Sequence, residues 1–235
     1  MNKIRIGILA AILVVVWGVS AVITQGSEQP EPPTTDPSQT GPVVTEPVII
    51  EEPKFYVLVD AGHGGKDPGA LGVSGVEEKD LNLVLAHKVM DLFKDDKNIG
   101  VVLTREDDIF ILPEKRYQIA NSLGPDLFVS IHHNSFQDWP SVSGVETFYY
   151  RTDSLEPAEI LHEKLLAATQ FNDRGVMVSE YKVVKYTTMP SVLLEIGYLS
   201  NPTQEKILVK PEFQDTVAAA IAEGIREYYQ VHSGN

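Results

Sequence analysis

The chain reads Phe55-Tyr56-Val57-Leu58-Val59-Asp60-Ala61-Gly62-His63-Gly64-Gly65 where its folded part begins. The first five residues are apolar or aromatic, and the stretch ends in a turn rich in glycine. A short apolar run with such a boundary is typical of a buried strand. This stretch therefore predicts the first strand of a sheet, with a histidine placed just beyond its carboxyl end.

Strand-like and helix-like segments alternate through the rest of the chain. Short apolar runs predict further strands over residues 101–103, 127–131, 145–150 and 192–194. Apolar residues at helical spacing, or a proline at a helix start, predict helices over 81–92, 113–122, 157–168 and 217–228. This alternation predicts an α/β fold, in which an open, mostly parallel, twisted sheet is flanked by helices on both faces.

The first 53 residues differ in character from the predicted folded part. Residues 1–25 begin with a short basic stretch and continue with an uncharged, mainly aliphatic run, which predicts a membrane anchor or signal segment. The apolar run continues past a small-residue cleavage site, which favours a retained anchor over a cleaved signal. Residues 26–53 hold seven of the fifteen prolines and predict a disordered, acidic linker. Residues 54–235 are the predicted folded domain, on the outer side of the membrane.

Composition excludes several kinds of site and partner. The chain has no cysteine, so disulfides and thiolate metal sites are absent, and any metal ligands must be His, Asp or Glu. The formal net charge is -14, and Lys and Arg form no cluster. Nucleic acid is therefore not an expected partner, because duplex binding needs clustered positive charge.

Three polar residues follow predicted strands that are far apart in the sequence. His63 and His132 each follow an apolar run, and Glu195 follows Val192-Leu193-Leu194. In open α/β sheets, ligands bind beyond the carboxyl ends of the strands, so these residues are expected to converge. Of the other histidines, His87 and His162 lie among charged residues and are expected to be solvated, and His232 lies in the frayed terminus. His133 adjoins His132, and because successive strand residues face opposite sides, only one of the pair is expected to face the site.

His63 and His132 are candidate metal ligands, and the alternative is that both are structural histidines. A third ligand is expected from the start of the helix that carries Leu81. Glu77 and Glu78 both lie there, and periodicity alone does not choose between them. Two histidines, one glutamate and an open fourth position form a known catalytic zinc arrangement. The alternative is that both glutamates only complement the helix dipole. Glu195 is either a general base with a raised pKa or a buried acid paired with Arg105 or Arg174.

The sequence resembles the catalytic domain of the N-acetylmuramoyl-L-alanine amidase family, of the zinc-dependent amidase 3 type, from about Tyr56 to Tyr229. The resemblance rests on six motifs in the same order: residues 59–70, 78–83, 103–105, 130–134, 173–176 and 194–202. It implies that His63, Glu78 and His132 bind Zn²⁺ and that Glu195 is the catalytic glutamate. The family commonly has alanine at the position of His133, and the sequence leaves the role of this histidine open.

The resemblance also implies the substrate and the location. We expect a peptidoglycan hydrolase in the bacterial cell envelope that cleaves the amide between N-acetylmuramic acid and L-alanine. The alternatives are a zinc peptidase acting within the stem peptide and an inactive, membrane-tethered wall-binding module. Some relatives carry a helix that plugs the zinc site until a partner protein removes it. Residues 134–144 are too few for such a helix, so we predict an unplugged site, and a regulatory or localising partner remains open.

Overall fold

A computed structural model describes residues 53–233. The predicted anchor, residues 1–25, and nearly all of the linker, residues 26–53, lie outside the described residues, so the division of the chain stays a prediction. Between Pro53 and Ser233, no helix is both long enough and apolar enough to cross a membrane.

Six strands form one mixed sheet with the order β2-β1-β3-β6-β4-β5. The strands are β1 (Phe55–Ala61), β2 (Ile99–Leu103), β3 (Leu127–Asn134), β4 (Val145–Tyr149), β5 (Asp173–Val178) and β6 (Ser191–Tyr198). β2, β1, β3 and β6 run parallel to one another, whereas β4 pairs with β6 in antiparallel orientation and β5 is parallel to β4. The carboxyl ends of β1, β3 and β6 therefore share one edge with the amino ends of β4 and β5.

Helices cover both faces of this sheet. They are α1 (Glu78–Asp91), α2 (Pro113–Leu123), α3 (Leu155–Thr169), α4 (Lys182–Lys185), α5 (Pro202–Leu208) and α6 (Pro211–Ser233), with a short 3₁₀ turn at Thr152–Ser154. The predicted α/β fold, with its mostly parallel sheet and helices on both faces, is confirmed.

The core is divided between the two faces because successive strand residues point to opposite sides. Val57 and Val59 of β1 belong to the larger cluster, which includes apolar residues of α1, α3 and α6. Leu58 belongs to the smaller cluster with Phe128 of β3 and residues of α2 and α4. Burial of β1 and β6 on both faces explains their nearly continuous apolar sequences.

Three elements were not predicted from the sequence. The edge strand β5 has only exposed and half-buried residues, so it lacks the apolar run that marks the other strands. α4 and α5 have 4 and 7 residues, too few for a clear helical period. The predicted strand over 145–150 ends one residue early, at Tyr149.

Candidate metal centre and active site

The structure brings His63, Glu78 and His132 together at the shared sheet edge. His63 follows β1, Glu78 is the first residue of α1, and His132 lies near the end of β3. One ligand atom from each of the three residues lies within 4.8 Å of the other two. Nε2 of His63 is 3.2 Å from Oε2 of Glu78, and Nδ1 of His132 is 2.9 Å from Oε1 of the same carboxylate. Glu78 thus lies between the two imidazoles.

Glycine provides the space for this cluster at two positions. A Cβ atom on Gly62 would lie within 2.6 Å of three ring atoms of His132. A Cβ atom on Gly69 would lie 2.5 Å from Oε2 of Glu78 and 2.7 Å from Cδ2 of His63, and Gly69 has a φ of 68°. The glycine-rich turn after β1 therefore has a steric role as well as a conformational one.

The neighbouring Glu77 does not join the cluster. Its carboxylate is partly exposed and lies 3.1 Å from Nζ of Lys79. Glu78 is buried and, besides the two histidines, accepts hydrogen bonds from the backbone N–H of Ala70 and of His133. Glu77 precedes the helix with an extended backbone (φ -93°, ψ 134°), whereas Glu78 is the first helical residue, so the two side chains leave the backbone in different directions and Glu78 faces the sheet edge.

Glu195 lies beside this cluster on β6. It is the register partner of His132 on β3, so the two side chains emerge on the same face of the sheet. Glu195 is 9% exposed, and its Oε2 atom is buried without a hydrogen-bond partner among the described residues. Burial, together with the carboxylates of Glu78 and Glu146, raises the pKa of Glu195 well above its ordinary value.

The proposed arginine partners of Glu195 bind other groups. Arg105 donates to the backbone carbonyls of Ala61 and Gly62 and to two others, and it therefore supports the turn that carries His63. Arg174 pairs with Glu146. The interpretation of Glu195 as one half of a buried ion pair is thus wrong for both arginines.

The chain is similar to a known family of proteins. A family model described as N-acetylmuramoyl-L-alanine amidase matches residues 57–227, a range that includes all four residues of the site.

The chain belongs to the N-acetylmuramoyl-L-alanine amidase family.

Three relatives illustrate the range of similarity within the family. The amidase LytC of Bacillus subtilis (strain 168) is 36% identical over 178 residues, which cover 74% of this chain and 35% of LytC, so the match spans about a third of that relative. The catalytic domain of CwlV from Bacillus (Paenibacillus) polymyxa var. colistinus is 44% identical and superposes with a TM-score of 0.73, over 75% of this chain and 99% of that one. The CwlD amidase of Clostridioides difficile, solved in complex with the GerS lipoprotein, is 34% identical and superposes with a TM-score of 0.71. The match covers 75% of this chain and 99% of CwlD.

Contacts among the residues of the amidase site set the pKa values of Glu78 and His63. Burial raises the pKa of Glu78, but His132 and His63 outweigh this effect and hold the pKa well below its usual value. Burial lowers the pKa of His63, yet the carboxylates of Glu78 and Asp67 hold it above its ordinary value. Two imidazoles and a carboxylate so arranged form a donor set that fits a zinc ion, with no thiolate required. The unpaired oxygen of Glu195 leaves one polar group available for a substrate or a water molecule.

Two residues behind the cluster, Asp67 and Asn82, orient it, and neither had a role predicted from the sequence. Oδ2 of Asp67 lies 3.0 Å from Nδ1 of His63 and directs Nε2 towards Glu78. Asn82, one helical turn after Glu78, donates to Oε1 of that glutamate at 3.1 Å. Both spacings are four residues, which is a signal that could have identified them. Such outer contacts hold metal ligands in the correct orientation.

His133 belongs to this supporting layer of the amidase. It is buried on the opposite side of β3 from His132, and its Nδ1 atom lies 2.8 Å from Oδ1 of Asn82. Because Nδ2 of Asn82 donates to Glu78 and Gly62, Oδ1 is the acceptor and His133 is the donor. Burial lowers the pKa of His133 to about 4, so the ring is neutral at pH 7.

One prediction about the remaining histidines was wrong. His162 is 5% exposed, not solvated, and its ring nitrogens lie 2.9 Å from Oγ1 of Thr147 and 3.0 Å from Oδ1 of Asp173. The charged neighbours in sequence lie on the outer face of α3, whereas His162 faces β4. His87 is partly exposed and is hydrogen-bonded through Nε2 to the backbone carbonyl of Glu106.

Proposed function

We propose that this amidase is a zinc-dependent peptidoglycan hydrolase that cleaves the amide between the lactyl group of N-acetylmuramic acid and L-alanine. The observation that carries this proposal is the cluster of His63, Glu78 and His132 beside a buried carboxyl group, Glu195, with an unpaired oxygen. LytC and CwlV are described as N-acetylmuramoyl-L-alanine amidases, which supports the choice of bond.

Each residue has a distinct role in the proposed reaction. His63, Glu78 and His132 hold the zinc ion, and Asp67 and Asn82 keep two of these ligands oriented. When bound, zinc lowers the pKa of a water molecule towards about 7 and polarises a carbonyl oxygen. Glu195 is the general base, because its raised pKa suits a group that must accept and then release a proton.

The proton and the bonds balance in a simple sequence. Glu195 accepts a proton from the attacking water, while the water oxygen forms a bond to the lactyl carbonyl carbon. The C–N bond then breaks, and Glu195 passes the proton to the nitrogen of the departing alanine. The second proton of the water also passes to this nitrogen, so the products are a muramic acid carboxylate and a stem peptide with a free, protonated L-alanine amine.

Digestion of purified peptidoglycan by the full-length chain tests this proposal. We expect release of intact stem peptides with a free L-alanine amine, loss of release with a zinc chelator, and recovery after zinc is added back. Mass analysis separates the alternatives, since cleavage within the stem would identify a zinc peptidase. Absence of any release from zinc-loaded protein would identify a non-catalytic module and refute the proposal.

A glutamine substitution tests the role of Glu195. Glu195→Gln keeps the size of the side chain and removes its basicity, so we expect zinc binding to persist and turnover to fall by about 100-fold or more. Glu223→Gln, on the exposed face of α6, is a matched control with unchanged activity. Turnover by Glu195→Gln close to that of the unmodified chain would remove Glu195 from the mechanism.

We also propose that the N-terminal segment retains the enzyme outside the cytoplasmic membrane, where its substrate lies. Expression in a bacterium, followed by fractionation and mass analysis of the N-terminus, tests this part. An intact N-terminus in the membrane fraction supports a retained anchor, and a shortened chain in the medium supports a cleaved signal.

Residues 135–144 form turns and no helix, so we propose that the zinc site works without an activating partner.

A further inference from the structure

A row of functional residues crosses the sheet at the carboxyl ends of β1, β3 and β6, which we call the active edge. Gly62 follows β1 and continues its pairing with β3 through a hydrogen bond to the carbonyl of Ile131. His132 on β3 is opposite Glu195 on β6, and Glu195 is opposite Glu146 on β4. Directly opposite residues point to the same face, so these side chains stand side by side, with about 4.8 Å between neighbouring strands.

The row ends at Arg174 on the edge strand β5. The pairing of β4 with β5 shifts register around Glu146, so two residues of β5, Arg174 and Gly175, lie opposite this one glutamate. Nε of Arg174 donates to Oε1 of Glu146 at 2.7 Å. The guanidinium also lies over the ring of Tyr198, 5.5 Å from its centroid.

Glu146 fixes the position of this arginine. It is buried, and its Oε1 atom also accepts a hydrogen bond from the Tyr198 hydroxyl at 3.0 Å. Its Oε2 atom accepts from Nδ2 of Asn134 at 2.7 Å. A carboxylate with both oxygens engaged has one orientation, and it therefore sets the orientation of the arginine that it binds.

Arg174 is anchored yet accessible. Its side chain is 40% exposed, although Nε is engaged with a buried acid. A guanidinium has five N–H groups in a planar fork, and a bond through Nε leaves terminal nitrogens able to bind a carboxylate. Along the row, Glu195 and Glu146 separate this guanidinium from His132.

Spacing connects this arginine to the proposed reaction. Arg174 lies two strands beyond Glu195, which is about 10 Å along the row. An extended peptide spans about 3.3–3.6 Å for each residue, so this distance corresponds to about three units, which are the lactyl group and the first two residues of the stem. The stem peptide carries a carboxyl group on its second residue, which falls in that range.

We propose that Arg174 binds the carboxylate on the second residue of the stem peptide and so aligns the scissile amide beside Glu195. This inference rests on the proposed function and adds a determinant of substrate specificity to it. Stem peptides that carry a carboxamide at the second residue are accordingly poor substrates, because Arg174 then has no anion to bind.

Two synthetic muramoyl peptides test the proposal with the full-length enzyme. They are identical except for a carboxylate or a carboxamide on the second residue, and the peptide C-terminus is blocked in both. We expect Arg174→Ala to raise KM for the carboxylate probe by about 10- to 100-fold with kcat changed by less than about twofold, since a hydrogen-bonded charge is lost. For the carboxamide probe, KM is already raised, and Arg174→Ala changes it by less than about twofold.

Matched variants separate recognition from structure. Arg151 is also 40% exposed and paired with an acid, Asp153, but it lies beyond the other end of β4, so Arg151→Ala should leave both probes unaffected. Arg174→Lys keeps the charge without the planar fork, and we expect an intermediate KM for the carboxylate probe. An equal loss on both probes, or no loss on either, would overturn the proposal.

A binding measurement keeps this inference distinct from the proposed activity. Calorimetry measures the dissociation constants of the two alanyl dipeptides that correspond to the probes. Weaker binding of the carboxylate dipeptide alone to Arg174→Ala supports the inference, even if the chain cleaves neither probe and the proposed function fails. Equal binding of both dipeptides by the unmodified chain counts against it.

Discussion

The ring of His132 occupies the space in which a side chain at Gly62 would lie. The backbone of Gly62 is not in a left-handed conformation, so the requirement for glycine here is steric, not conformational. The sheet edge thus holds a proposed zinc ligand against the backbone of the next strand.

This contact predicts the effect of one added methyl group. Gly62→Ala forces the His132 ring out of position, and we expect zinc affinity to fall by about 10- to 100-fold, as for other losses of ligand orientation. Zinc titration of the purified chain measures this change. Gly100→Ala on β2 is the control, because its methyl group would meet only side-chain atoms of Pro53 and Tyr56. Unchanged affinity in Gly62→Ala would show that His132 does not need this position to bind zinc.

The adjacent glutamates at the start of α1 provide a second prediction. Glu78→Gln removes the charge between the two imidazoles, and we expect the bound zinc to fall from about one ion per chain to a small fraction under dilute metal. Glu77→Gln should retain the metal, because Glu77 contacts Lys79 at the surface. Metal analysis of both variants after gel filtration tests these expectations. Loss of zinc from both variants would contradict the assignment of Glu78, and not Glu77, as the zinc ligand.

His133 provides a third prediction, through its contact with Asn82. His133→Ala restores the residue that the family commonly has, leaves Oδ1 of Asn82 unpaired and opens a cavity. We expect the metal-free protein to lose about 1–3 kcal/mol of unfolding free energy, while zinc stoichiometry stays the same. Urea denaturation and metal analysis test both parts. His87→Ala, at a partly exposed site on α1, is the control. Altered zinc stoichiometry in His133→Ala would show that this ring is a ligand.

A buried ion pair under the active edge provides a fourth prediction, about stability and pH. Burial raises the pKa of Asp60, but Arg116 and hydrogen bonds from Thr104 and Ser130 outweigh this and hold it below 3.8. Asp60→Asn leaves Arg116 buried without its counter-charge, so we expect a loss of about 3–5 kcal/mol at pH 7.

The sign of the pH dependence follows from the lowered pKa. The stabilisation by Asp60 is fully present above the unfolded pKa of about 3.8 and is lost as pH falls through the lower folded pKa. The difference in unfolding free energy between the unmodified chain and Asp60→Asn should therefore be constant from pH 7 to about pH 5 and shrink below about pH 4. Asp153→Asn, at a surface pair, should cost less than about 1 kcal/mol throughout. A difference that grows on acidification would contradict the ion-pair assignment.

The fold and much of the candidate site could be predicted because their signals are local. The apolar run before Asp60 specifies a strand, and the glycines after it specify a turn that carries His63. Glu78 was identified from the family motif, since two adjacent glutamates at a helix start have the same local signal. The lack of cysteine excluded thiolate ligands without any structural information.

Tertiary structure decided what depends on distant residues. No local pattern shows that β4 runs antiparallel to β6, yet this direction places Glu146 beside Glu195 and Arg174 at the end of the same row. Likewise, the burial of His162 is visible only in its packing against β4. The structure also shows that Oε2 of Glu195 is buried without a hydrogen-bond partner among the described residues. A sequence pattern encodes turns and periodicity, whereas strand direction, register and desolvation result from contacts between segments that are far apart in the chain.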